Sequence, residues 1–271
     1  QALGLAGAAG VGAALSASTQ AAASPPTLPW PYKKLDVESA RKRGHLLASE
    51  VHCCAGVFGT IIGELAREVG PPFETIPCNM MLYGAGGVAG FGTLCGALNG
   101  AGAAVSLVCG EETTKKVLEE LLSWYASAPL PTDLSNAYAE AHEYLDGDPY
   151  TVDEPLPQSV AGGNLCHMSV SNWCQVSECA SGSKERSERC KRLTGDVAAK
   201  TVELLNAVHD GTFLRILPLP AQEAGCRDCH AKGEKSNTRG KMDCGPCHVE
   251  PVSPSHCDHF SQAVLRMPKR M

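Results

Sequence analysis

The sequence predicts a mainly α protein: a helical body with a buried Gly/Ala-rich helix, followed by a loop-rich C-terminal module. Three observations lead there. Aromatic residues make up only 5% of the 271 residues while glycine alone numbers 28, so the core must come from small-residue helices in close approach. Apolar positions recur at helical spacing over 36–68, 112–126 and 195–211. From residue 218 onward that periodicity is lost, and two Cys-x-x-Cys-His motifs appear in a polar stretch with no core of its own.

Residues 1–24, "QALGLAGAAGVGAALSASTQAAAS", are small, apolar and uncharged and run into the proline-rich "PPTLPWP". They read as an export signal or N-terminal anchor, with Ala21-Ala22-Ala23 meeting a small-x-small cleavage rule and Ser24 opening the mature chain. The weak hydrophobicity is that of a twin-arginine signal. A periplasmic location follows, with membrane contact only if this segment is retained.

The helical body is assigned to 25–217. Its first helix spans 36–68, with Asp36 as N-cap and Gly70-Pro71-Pro72 as the stop. A second is predicted over 88–108, inside the uncharged span 83–110. That span is long enough to cross a membrane but holds nine glycines, and so reads as a buried core helix. The stretch 112–126 is an amphipathic helix capped by Thr113 or Thr114 and ended before Pro129. A shorter helix follows at 133–145, then a turn-rich connection over 146–165, and a last helix over 195–211.

The module 218–271 begins at "LPLPAQEAG". Cys-x-x-Cys-His is the attachment signature of haem c: the two thiols form thioethers and the adjacent imidazole reaches the iron. Cys226, Cys229, Cys244 and Cys247 are thus the covalent residues and His230 and His248 the proximal ligands. A zinc ribbon would use the same paired cysteines but needs neither histidine. Export agrees with haem, and two haem c groups would supply the core this tail lacks. Candidates for the far side of each iron are His256, His259, His209 and His142, with Met242 as a thioether alternative. An open sixth position would instead make a small haem-dependent reductase.

Ten further cysteines remain. Cys166, Cys174, Cys179 and Cys190, at spacings of eight, five and eleven in a polar segment, match the ligand count of an iron–sulfur cluster. Two disulfides would be the structural use of the same residues. Cys53, Cys54, Cys78, Cys95 and Cys109 lie in apolar surroundings and can be small core residues. Alternatively, Cys54 and Cys95 from neighbouring helices join the cluster set.

Charge narrows the partners. Residues 226–271 hold eight Lys or Arg against five Asp or Glu, and the rest of the chain fifteen against twenty-four. The basic residues of the tail are dispersed and lack an aromatic stacking platform, which argues against nucleic acid.

The stretches "HCCAGVFGTIIGELAREVG" and "GFGTLCGALNGA", with the later paired cysteines, resemble the C-GCAxxG-C-C family. Joined to two C-terminal Cys-x-x-Cys-His motifs, that body is similar to cytochromes of the split-Soret type over residues 36–250. The resemblance implies a periplasmic dihaem c protein of anaerobic, sulfate-reducing metabolism. It further implies a homodimer with haems clustered at one end, bis-histidine iron that can draw a ligand from the other subunit, and a non-haem iron centre in the body. The sequence reading is an electron carrier rather than an enzyme, exchanging electrons with redox partner proteins.

Overall fold

The computed structural model describes residues 26–144, 152–218 and 241–242. Residues 1–24 and both Cys-x-x-Cys-His motifs lie outside them.

Asp36 caps α1 (Val37–Glu68) by accepting a hydrogen bond from the Ser39 N–H at 2.6 Å. This helix is the axis of the body. It lies against α6 (Lys184–His209), α2 (Gly96–Val108) and the 3-10 turns of Cys78–Gly84. Among the described residues α1 is the one helix long and apolar enough to cross a membrane. Half of its most apolar window is buried in the fold, as in the core helix of a globular body. Val57, Phe58, Ile61 and Leu65 of α1 meet Leu98, Ala101 and Val105 of α2, and Leu193, Val197 and Leu205 of α6.

Close approach replaces bulk at two crossings. A Cβ on Gly44 would stand 3.0 Å from the Gly195 Cα, so α1 and α6 touch backbone to backbone. A Cβ on Gly100 would collide with the Cys54 carbonyl oxygen, which fixes α2 on α1 in the same way.

The helix expected over 88–108 starts only at Gly96. Gly86, Gly87, Val88, Ala89, Gly90 and Gly92 all take positive φ, between 50° and 81°, and wind a left-handed turn ahead of it. Glycine accepts that region at no steric cost, so the glycines that looked like close-contact positions in a helix act instead as turn residues. α3 (Glu111–Ser127) is capped by Gly110 rather than by a threonine, with Glu111 and Glu112 favourably placed in its first turn. α4 is Asp133–Glu140, shorter than expected, with Thr132 as its N-cap. A minimal antiparallel pair, β1 (Pro129–Leu130) with β2 (Ser159–Val160), ties the following connection back to the body.

Two features depart further from the sequence reading. The polar four-cysteine segment, for which no helix was expected, contains α5 (Cys166–Ser177), and α6 begins eleven residues before its expected start, capped by the Ser183 side chain. The added part of α6 is rich in charge, yet Glu188, Arg189 and Arg192 are all buried. Arg192 donates to Asn136 Oδ1 at 2.8 Å and to the carbonyls of Val152 and Glu154 at 2.7 and 2.9 Å. Hydrogen bonds of this kind allow the charge to be taken inside.

His45 of α1 lies in the same polar seam, fully buried, its Nε2 2.7 Å from Glu188 and its ring stacked 3.8 Å from that of Tyr144. Burial holds its pKa below the ordinary 6.5, outweighing the Glu188 carboxylate, while Lys191 and Arg192 add to the lowering. The unfolded chain therefore takes up a proton at a higher pH than the native one, so stability is full above about pH 6.5 and falls as the solution is acidified through it. The urea midpoint should be level between about pH 7 and 8 and drop below pH 6.5. A His45→Gln chain should lose that component of the slope; an unchanged acid limb would refute the assignment.

A four-thiol cavity as candidate redox site

Midway along α1 the helix breaks without proline or glycine. Val51 sits at φ −126° and ψ 15°, and His52 at φ 63° and ψ −179°. The latter is a region essentially reserved for glycine and costs of order 1–3 kcal/mol in any other residue, so the surroundings must hold it there. The break takes Cys53 off the face shared by its helical neighbours. Cys53 borders a cavity, while Cys54 points into the core at the α1–α2 crossing.

A second wall comes from the left-handed turn. Leu94 and Leu165 form an isolated antiparallel bridge: the Cys95 N–H donates to the Asn164 carbonyl at 2.9 Å, and the Cys166 N–H to the Thr93 carbonyl at 2.7 Å. That pairing sets Cys95 at the N-cap of α2 beside Cys166 at the first position of α5. Both thiols thus sit at helix N-termini, where unpaired N–H groups favour negative charge. A Cβ on Gly87 would stand 2.8 Å from the Cys166 Cβ, so only glycine lets the turn close on α5. α6 adds Cys190.

The cavity has a volume of about 230 Å³ and is lined by Cys53, Cys95, Cys166 and Cys190, with Tyr125, Ser169, Arg186, Arg189 and Lys191. Burial pushes the Cys166 thiol up to about 11, with Cys95 and Cys190 adding to it and Arg189 opposing. Burial raises Cys53 and Cys95 as well, and neighbouring thiols reinforce both shifts. Four soft sulfur donors that repel one another as thiolates suit an iron ion, whose charge would reverse that repulsion. Among the described residues no three His, Cys, Asp or Glu side chains have drawn together into a closed ligand set. The donor chemistry nevertheless fits.

Of the residues singled out from sequence, the cavity gathers Cys166, Cys190 and Cys95. Cys174 and Cys179 lie elsewhere, against the small cluster of Val152, Leu156 and Trp173. Cys54 lines no part of the cavity wall, and its neighbour Cys53, passed over as a ligand, does. Nothing local in the sequence marks the helix break that exchanges them. His209 ends α6 with its ring centroid 5.8 Å from that of Tyr32, and the exposed His142 pairs with Asp153 at 3.3 Å. Met242 lies against Gly163, and Lys241 beside it pairs with Glu119 of α3. Cys226, Cys229, Cys244, Cys247, His230, His248, His256 and His259 fall outside the described residues.

A helical body that gathers thiols from four separate segments around one cavity belongs to the class of cysteine-centred redox proteins. Residues 51–204 match the family described as "Putative redox-active protein (C_GCAxxG_C_C)". The chain is 38% identical over 200 residues to the split-Soret cytochrome c of Desulfovibrio desulfuricans, an alignment covering 72% of this chain and 68% of that protein. A solved structure described as "A novel iron centre in the split-Soret cytochrome c" from the same species superposes with a TM-score of 0.72. It is 34% identical, and the match covers 82% of this chain and 91% of that one. The chain belongs to the C-GCAxxG-C-C family and is a homologue of the split-Soret cytochrome c.

The comparison also corrects the expected cofactor set of two haem c with an iron–sulfur cluster. The related structure is described by a novel iron centre, with no iron–sulfur cluster named. The four-cysteine segment on which that cluster was placed is divided in this fold, because Cys174 and Cys179 pack against Val152, Leu156 and Trp173 and do not line the cavity.

Proposed function

We propose that this chain is an exported electron-transfer cytochrome that carries haem c on its Cys-x-x-Cys-His motifs and an iron centre on Cys53, Cys95, Cys166 and Cys190. The observation that carries the reading is the convergence of those four thiols on one cavity, in a family where a relative is described by its iron centre. Iron held by thiolates supplies a one-electron store whose potential depends on ligand charge, hydrogen bonding and burial. The residues of this chain do the rest. The N-terminal ends of α2 and α5 lend positive potential to Cys95 and Cys166, the left-handed turn narrows the way in from water, and the buried face of α6 keeps the surroundings apolar and cationic. A periplasmic homodimer that exchanges electrons with redox partner proteins is part of the same proposal.

The test uses the full chain produced in a host that attaches haem c. Intact mass after denaturation should rise by whole haem units, one unit should be lost when Cys244 and Cys247 are both replaced by serine, and a Soret band should accompany it. A denatured mass equal to the bare polypeptide, with zinc in the purified protein and no Soret band, would overturn the cytochrome reading in favour of a zinc ribbon.

A further inference from the structure

The cavity wall is strongly one-sided in charge. Arg186, Arg189 and Lys191 line it, and among the described residues no Asp or Glu does. Glu188, the carboxylate next to Arg189 in sequence, is engaged with His45 at 2.7 Å, Arg192 at 3.3 Å and Lys191 at 3.5 Å. Arg186 is partly exposed and Lys191 has Glu188, so both charges are accounted for.

Arg189 is different. It is 1% exposed, donates one hydrogen bond from its terminal nitrogen to Ser169 Oγ at 2.9 Å, and makes no ion pair among the described residues. Its Nε is buried without a hydrogen-bond partner among the described residues. A guanidinium cannot shed its proton, and a buried charge with no counter-charge is among the costliest features a fold can contain. On the cavity wall it favours the negative forms of Cys95, Cys166 and Tyr125, and beyond the wall that of Cys174. The imbalance is resolved once negative charge occupies the cavity, and four thiolates outweigh the charge of one ferrous or ferric ion.

We propose that Arg189 is the buried counter-charge for a net-anionic occupant of the four-thiol cavity, and a positioning residue that sets the potential of the centre formed there. This rests on the iron-binding reading above. A cation beside the sulfurs stabilises the more negative, reduced form, so its removal lowers the potential. The same cation penalises the iron-free cavity, where the thiols are neutral.

Arg189→Met keeps most of the side-chain bulk and removes the charge, and Arg189→Lys keeps the charge. The expected result is a reversal of sign. Arg189→Met should melt above the wild type when both are iron-free and below it when both carry iron, and it should shift the midpoint potential of the non-haem centre downward. Arg189→Lys should follow the wild type in both respects. A merely structural arginine would destabilise the iron-free and iron-loaded chains alike and leave the potential in place, and either outcome overturns the proposal. The two readings fail separately. Iron content that is unaffected by loss of Cys166 sinks the iron-binding reading, whereas a cavity that holds iron with no sign reversal sinks the role of Arg189 alone.

Discussion

A Cys95→Ser chain is expected to fold normally and to lose its non-haem iron, with affinity down by about a hundredfold or more. Metal sites lose roughly tenfold to a hundredfold when a supporting residue is removed, and loss of a ligand is at least as severe. The fold should tolerate the change, because Cys95 is the N-cap of α2 and makes no side-chain capping bond there. Serine is nearly isosteric and among the best N-cap residues. Cys109 provides the control: it is buried at the far end of the same helix and lines no part of the cavity, so Cys109→Ser should keep its iron. Iron per chain by elemental analysis, read beside far-UV circular dichroism, decides the matter. Full iron in Cys95→Ser would remove Cys95 from the site.

The largest loss of stability is expected from Asp196→Ala. Asp196 is 1% exposed on α6 and accepts from Arg41 Nη1, from the Thr132 N–H at 2.9 Å, from Thr132 Oγ1 at 2.6 Å and from Ser135 Oγ at 2.7 Å. One carboxylate thus holds α1, the N-cap of α4 and α6 together. Removing it leaves the largely buried Arg41 with Glu38 as its one ion-pair partner among the described residues and deprives two hydroxyls of their acceptor. Breaking a buried pair in this way costs about 3–5 kcal/mol, which for a domain of this size lowers Tm by roughly 6–20 °C. Combining it with Arg41→Met should cost less than the sum of the two single changes, since each removes the other's reason for being charged. Strict additivity would mean that the two residues act independently.

Much of the scaffold was legible in the sequence, and the lapses have distinct physical origins. α1 announced itself through Asp36, an apolar stripe and the Gly70-Pro71-Pro72 stop, all of which act locally. The start of α2 was misplaced because glycine serves two purposes: Gly100 admits a neighbouring backbone, while Gly86, Gly87, Gly90 and Gly92 wind a left-handed turn, and spacing does not tell them apart. α5 went unseen because Cys, Ser and Asn dominate it and its helical form depends on the bridge between Leu94 and Leu165. The first half of α6 was not foreseen as helix because its buried charges are met by distant residues, Glu188 by His45 and Arg192 by Asn136. The cavity was half readable. Cysteine abundance and the Cys166 and Cys190 positions were on the surface of the sequence, but the choice of Cys53 over Cys54 turns on two dihedral angles at a break with no breaker residue.

The four cavity thiols are spread along the polypeptide from residue 53 to residue 190, and no short segment holds two of them except across folded structure. Biogenesis inherits an order from this. A nascent or fragmentary chain that ends before α6 has an incomplete set, so on the proposed iron-centre reading loading comes after the whole helical body has been synthesised and has closed. On that reading delivery of metal is a late step for a finished scaffold, and any passage across a membrane as an extended thread would have to precede it.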